Sequence, residues 1–164
     1  MFNLESLVRN NIRNLKAYSS ARDEFKGEAS TFLDANENSL GSPTMRWYNR
    51  YPDPMQLKVK EKIAYIKQLG TEKIFIGNGS DEAIDLMFRC FCEPGVDNAV
   101  VFPPTYGMYE VSANINDVEI RKAPLLDDFQ LNLAHIEQLV DENTKIIWLC
   151  SPNNPSGNSL NLHD

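Results

Sequence analysis

Past residue 97 the chain alternates short, nearly unbroken apolar runs with stretches whose apolar positions recur at helical spacing. Asn98 to Phe102, Val118 to Ala123 and Thr144 to Cys150 read as strands, with a further short strand at Phe129 to Leu133. Between them, Tyr106 to Asn114 and Leu133 to Val140 carry helical spacing. The same rhythm begins upstream. Lys73 to Ile76 is a β-branched run, Gly77-Asn78-Gly79-Ser80 turns the chain, and Asp81 to Glu93 follows as a helix. Ala83, Ile84, Met87, Phe88 and Phe91 mark its apolar face, and Pro94-Gly95 ends it. Before that, Gln56 to Leu69 predicts an amphipathic helix with Leu57, Ile63, Ile66 and Leu69 on one face and lysines on the other, closed by Gly70. Arg50-Tyr51-Pro52-Asp53-Pro54 reads as a turn, because each proline biases the residue before it away from helix. Met1 to about Ser42 is polar and irregular, with one extended piece at Ser30 to Asp34 and a loop at Ala35-Asn36-Glu37-Asn38. Strands without a polar face, alternating with helices, are buried on both sides. The fold class is therefore α/β, a parallel sheet covered by helices on both faces.

Composition narrows the function classes. The chain has 164 residues, and 42% apolar content is enough for a packed core. Acidic residues outnumber basic ones, 23 to 16, and no basic cluster interrupts that balance, which argues against a nucleic-acid surface. The apolar runs are strand-sized and too short to span a bilayer, and the N-terminus lacks a secretory pattern. Three cysteines, Cys90, Cys92 and Cys150, make no disulfide framework, so a reducing, cytoplasmic compartment is expected. Cys90 and Cys92 point to different faces of a helix, and His135 and His163 have no partner at ligand spacing, so no metal site is expected. Asn78-Gly79-Ser80 matches a glycosylation acceptor, a chance match where there is no secretion signal.

In parallel sheets ligands collect where strands end and helices begin. Three of the expected strands end in unusual turns. In Gly77-Asn78-Gly79-Ser80-Asp81-Glu82, two glycines allow a close backbone approach, and the helix behind them offers unpaired amides and a positive dipole end. That makes a phosphate cradle, although the turn alone also fits a tight bend whose acids complement the dipole. In Pro103-Pro104-Thr105-Tyr106-Gly107-Met108-Tyr109, the double proline stiffens the exit and Tyr106 can lie flat on a planar ligand. A tyrosine packed on the sheet is the other reading. In Ser151-Pro152-Asn153-Asn154-Pro155-Ser156-Gly157, two asparagines held between prolines present amide donors, a composition too restricted for an ordinary polar turn.

Taken together and in this order, these motifs resemble the fold-type-I, class II aminotransferases that use pyridoxal 5'-phosphate (PLP), and among them the histidinol-phosphate aminotransferase family. The resemblance runs from about Asn14 to Asp164. It rests also on Tyr18-Ser19-Ser20-Ala21-Arg22, Leu33-Asp34-Ala35-Asn36-Glu37-Asn38, Arg50-Tyr51-Pro52 and Phe91-Cys92-Glu93-Pro94-Gly95. It implies that residues 1–45 form an arm and small-domain segment, and that 46–164 are the first part of a three-layer α-β-α, PLP-binding large domain. It implies that Gly79, Ser80 and Asp81 hold the cofactor phosphate, chiefly through backbone amides, that Tyr106 stacks on its ring, and that Asn154 donates to its phenolate oxygen. Tyr51 would reach the phosphate in the other subunit of a homodimer, and Tyr18 and Asn36 would approach the substrate. The family's reaction transfers an amino group between L-histidinol phosphate and 2-oxoglutarate, a step of histidine biosynthesis.

The resemblance also exposes a gap. The family's lysine, which bonds to PLP and shuttles the substrate proton, lies in a Ser-Lys context beyond the position of Asp164. Lys16, Lys26, Lys58, Lys60, Lys62, Lys67, Lys73, Lys122 and Lys145 have no comparable setting. The chain is thus expected to be the N-terminal segment of a longer enzyme, with no catalytic residue of its own and inactive alone. Strands from the remainder would insert between Lys73–Ile76 and Thr144–Cys150, so this segment alone is expected to fold poorly. Two alternatives stand beside this reading. One is a related PLP enzyme, an aromatic aminotransferase or a threonine-phosphate decarboxylase. The other is a non-catalytic module that keeps half the fold for binding.

Overall fold

All four residues of Asn98–Val101 (β1) are buried, as befits the middle strand of the sheet. The computed structural model describes residues 3–19, 25, 27, 29–161 and 163. Glu119–Lys122 (β2) pairs in parallel with β1 on one side, Asn98 opposite Glu119 and Val101 opposite Lys122. Thr144–Ile147 (β3) pairs in parallel on the other, with Ala99 opposite Ile146 and an irregularity just before it. The order is β2-β1-β3. Both outer strands connect to their neighbours through helices, as parallel pairing requires.

The two-residue period of β1 divides the core between two layers. Ala99 and Val101 pack with Ile84, Phe88 and Cys92 and with Tyr109 and Ala113. These side chains come from Gly79–Phe91 (α3) and its C-cap Cys92, and from Met108–Ile115 (α4). Val100 and Phe102 join Ala123, with Leu131, Ile136 and Leu139 packed against them. The last two belong to Leu133–Leu139 (α5). Helices thus cover both faces of the sheet, as the near-continuous apolar strands predict.

Among the described residues, the one fully buried polar side chain of the largest core residues is Asn98, and it is satisfied. Its amide donates to Asp141 Oδ1 at 3.0 Å, and its carbonyl accepts from the Thr144 hydroxyl at 2.7 Å. Arg121 closes the group, 2.7 Å from Asp141 Oδ2 and donating to the Leu139 carbonyl at 2.7 Å. β1, β2 and the approach to β3 are joined there by polar contacts.

Helix α3 is well terminated. Asp81 and Glu82 occupy its first turn, where acids complement the helix dipole, and Glu82 accepts the Asn78 N–H. At its far end the N-terminal segment serves as a cap. The Arg9 N–H donates to the Cys90 carbonyl and its guanidinium to the Arg89 carbonyl, each at 3.0 Å, while Arg9 also pairs with Glu93 at 3.1 Å. The arm predicted as irregular therefore holds a 3₁₀ turn at Leu4–Ser6 and a short helix, Asn10–Arg13 (α1).

The chain divides into two compact units, Met1–Leu15 with Gly77–Asp164, and Lys16–Ile76. Within the second unit, Leu57–Lys67 (α2) forms where periodicity places it, but none of its residues is buried. Leu57, Ile66 and Leu69 remain largely exposed. Two predicted strands are absent. At Lys73 to Ile76 the chain makes a 3₁₀ turn, Thr71–Lys73, and then extends from Ile74 without a ladder partner. β propensity alone cannot make a strand, because the hydrogen bonds come from a neighbour. At Phe129 to Leu133, Phe129 adopts φ +60°, incompatible with a strand, and its N–H closes a turn on the Leu126 carbonyl at 2.8 Å. The extended piece at 30–34 forms no strand either.

Candidate cofactor site

The three turns singled out above lie in one unit, and hydrogen bonds join them in series. The first link runs between the glycine turn and the proline turn. The Tyr106 hydroxyl donates to Asp81 Oδ1 at 2.8 Å. That bond is the leading cause of a shift of the Tyr106 phenol above its ordinary range. The second link runs between the proline and asparagine turns. Thr105 Oγ1 donates to Asn153 Oδ1 at 3.0 Å, and Asn153 Nδ2 donates to the Pro104 carbonyl at 2.8 Å. Asn153 is buried and also closes its own turn, donating to Ser156 Oγ at 2.7 Å and accepting the Gly157 N–H at 2.7 Å.

The two asparagines, equivalent in the sequence, are thereby separated. Asn153 is the structural one. Asn154 is exposed, and its side-chain amide makes no hydrogen bond among the described residues. It is free to meet a ligand.

At the glycine turn, Gly79 adopts φ +77°, a conformation that disfavours any side chain, and a Cβ there would meet nothing within 4 Å. Gly79, Ser80 and Asp81 are exposed at the start of α3, so its first amides face open space. Helix α4 begins at Met108, two residues later than predicted, and leaves Tyr106 on the connecting turn. Its ring meets Tyr109 edge to face at 5.8 Å. Tyr109 in turn stacks on Trp148, centroids 4.9 Å apart and planes 16° off parallel, and Phe88 backs Trp148 at 5.6 Å. Burial, first of all, pushes the Tyr109 phenol up to about 12. The Trp148 Nε1 is buried without a partner among the described residues.

A cavity of about 320 Å³ opens among Pro104, Tyr106, Tyr109, Glu110, Lys122 and Pro155. It holds one lysine, whose Nζ lies 2.8 Å from Glu110. Among the described residues no group of His, Cys, Asp or Glu is arranged to hold a metal ion.

Tyr18, Asn36 and Tyr51 belong to the other unit, Lys16–Ile76, and all three are exposed. Inside that unit two of their motifs meet through a residue that sequence reasoning passed over. Glu37, its side chain only 3% exposed, accepts the Tyr51 N–H at 2.6 Å and pairs with Arg50 at 2.7 Å. The guanidinium of Arg50 also sits over the Phe32 ring at 5.3 Å. A lone acid within an Asn-Glu-Asn loop was the available signal. Ser20, Ala21 and Arg22, from the N-terminal motif, and Asp164, where the resemblance ends, lie outside the described residues.

Solved structures share the fold. A tyrosine aminotransferase from Leishmania infantum superposes with a TM-score of 0.61 at 24% identity, covering 71% of this chain and 35% of that one. A histidinol-phosphate aminotransferase from Clostridium acetobutylicum gives 0.56 at 24%, covering 70% and 32%. Cystalysin from Treponema denticola, whose structure contains a pyridoxal 5'-phosphate cofactor, gives 0.58 at 25%, covering 73% and 32%. The architecture is that of part of a fold-type-I aminotransferase. Among curated proteins, the histidinol-phosphate aminotransferase of Parabacteroides distasonis is 59% identical over 98% of this chain and 45% of its own length. That of Cytophaga hutchinsonii is 55% identical over 97% and 46%. The chain thus spans a little under half the length of these relatives. The family model for aminotransferase class I and II matches residues 24–164, and the chain belongs to that family.

Proposed function

We propose that this chain is the N-terminal part of a PLP-dependent aminotransferase that moves an amino group between L-histidinol phosphate and 2-oxoglutarate in histidine biosynthesis. The carrying observation is the hydrogen-bonded series of three turns. It presents an anion-binding helix start, an aromatic face and an unpartnered amide donor on one unit. The curated relatives named histidinol-phosphate aminotransferase support the substrate.

The residues suit the group. The exposed amides of Gly79, Ser80 and Asp81 would bind the phosphate, aided by the dipole of α3 and by the absence of any side chain at Gly79. Tyr106 would cover one face of the ring and exclude water from it. Asn154 would donate to the phenolate oxygen and fix the ring's rotation. When bound, PLP supplies the electron sink that stabilises charge at the substrate's α-carbon. The proton carried to and from that carbon needs a base that none of these residues provides. Lys122, the cavity's lysine, has its nitrogen engaged by Glu110. In this reading the shuttle lysine would come from sequence outside this chain, and the chain would be inactive alone.

Residues 1–45 would then be an arm and part of a small domain, and 46–164 the first part of the large domain. In a cytoplasmic homodimer, Tyr51 would reach the phosphate of the partner's cofactor, while Tyr18 and Asn36 would contact the substrate. Among the described residues no helix is long and apolar enough to cross a membrane.

The test is amino transfer by the complete protein with PLP, offering histidinol phosphate, phenylalanine or threonine phosphate in turn. Glutamate formed from 2-oxoglutarate with histidinol phosphate alone is the expected result. Preference for phenylalanine, or release of CO₂ from threonine phosphate, would replace the proposed substrate. A complete reading frame without a Ser-Lys motif, and no turnover of any donor, would leave a non-catalytic binding module.

A further inference from the structure

Asp81 stands in the first turn of α3, where its backbone amide is one of those offered to an anion. Its carboxylate presents a difficulty there. A free acid at that position competes for the same unpaired amides and repels an incoming dianion. The structure turns it elsewhere: Oδ1 accepts the Tyr106 hydroxyl at 2.8 Å. Glu82, its neighbour, already accepts the Asn78 N–H and is not available for this contact. Tyr106 is thus restrained at both ends, its hydroxyl by the glycine turn and its ring edge by Tyr109, which rests on Trp148.

We propose that the Asp81 carboxylate is a positioning residue: it sets the inclination of the Tyr106 ring so that the ring is already flat to the cofactor before the cofactor arrives. This rests on the proposed function, which places Tyr106 against the cofactor ring. A ring held in its bound orientation loses little freedom on binding, and affinity gains accordingly. The bond would also draw the negative charge of Asp81 away from the phosphate and toward a phenol that accommodates it. Asp81 would then serve through two chemically separate groups, its amide for the phosphate and its carboxylate for the ring.

The experiment is equilibrium titration of the apo form of the complete protein with PLP, followed by quenching of tryptophan fluorescence. The variants are D81A, D81N, Y106F, Y106A and the D81A/Y106F pair. Loss of the tie should weaken PLP about 3- to 10-fold in D81A and in Y106F, and the double variant should be no weaker than either, because one bond is removed in all three. D81N keeps an acceptor oxygen and should stay within about 2-fold of the parent. Asp81 is exposed, so none of its variants disturbs the core. Tighter binding by D81A, losses that multiply in the double variant, or D81N as weak as D81A would each overturn the assignment. If Y106A weakens PLP while D81A does not, the positioning role fails and the cofactor reading stands. If Y106A itself leaves PLP affinity unchanged, Tyr106 does not face the cofactor, and both fail together.

Discussion

Thr105 and Asn153 stand 48 positions apart in the chain and meet side chain to side chain at 3.0 Å. With the Asn153 bond to the Pro104 carbonyl, that contact holds the end of β1's turn against the end of β3's. It makes the two asparagines of one motif separable by experiment. Asn153→Ala strands the Thr105 hydroxyl and the Pro104 carbonyl and should cost about 1–3 kcal/mol of stability. Asn154→Ala should change stability by less than about 0.5 kcal/mol while weakening PLP, since its side chain is exposed. Urea unfolding and PLP titration of both variants check the split. Equal stability losses would remove it.

Acid should release the polar group around Asn98. The Asn98 amide, first, and then Arg121 hold the Asp141 carboxyl down at about 2, against an ordinary 3.8. A carboxyl with a lowered pKa stabilises the fold fully above its ordinary value, and that contribution fades as pH falls from 3.8 toward about 2. The difference in urea midpoint between the parent and Asp141→Asn should therefore be constant at neutral pH and shrink across that window. A difference that grows on acidification would contradict the assignment.

The three thiols should react in a fixed order. Cys92 is 1% exposed, and burial, its leading cause, pushes its thiol up to about 12. The thiolate is the reactive form, so Cys92 should resist alkylation in the folded protein while the half-buried Cys90 and Cys150 are labelled. Timed alkylation with peptide mass mapping reads the order. Early labelling of Cys92 would mean that α3 does not pack on the sheet as described.

Neighbouring positions on α3 should differ sharply. Phe88 is fully buried against Trp148, and Phe88→Ala should cost about 3–5 kcal/mol through the cavity it leaves. Met87, read from periodicity as part of the same face, is 41% exposed, and Met87→Ala should cost less than about 1 kcal/mol. Urea midpoints of the two variants give the comparison.

The amino-acid sequence by itself determined the α/β class, the order of the helices after residue 55 and the three turns that carry chemistry. Those depend on local information. A strand buried on both faces is apolar at nearly every position, as Ala99 to Val101 is after the hydrogen-bonded Asn98, a helix must repeat its apolar residues, and prolines and glycines mark where each stops. What sequence could not decide was every property that needs a partner from elsewhere in the chain. Lys73 to Ile76 has strand-forming residues and no ladder, because a strand is a relation between two segments. Asn153 and Asn154 carry the same amide, and only burial against Pro104 and Thr105 makes one structural and leaves the other open. Asp81 reads as a helix-start acid until Tyr106, arriving from a turn 25 positions later, takes its carboxylate. Tertiary structure decided these, because hydrogen bonds and desolvation act between groups close in space, whatever their separation along the chain.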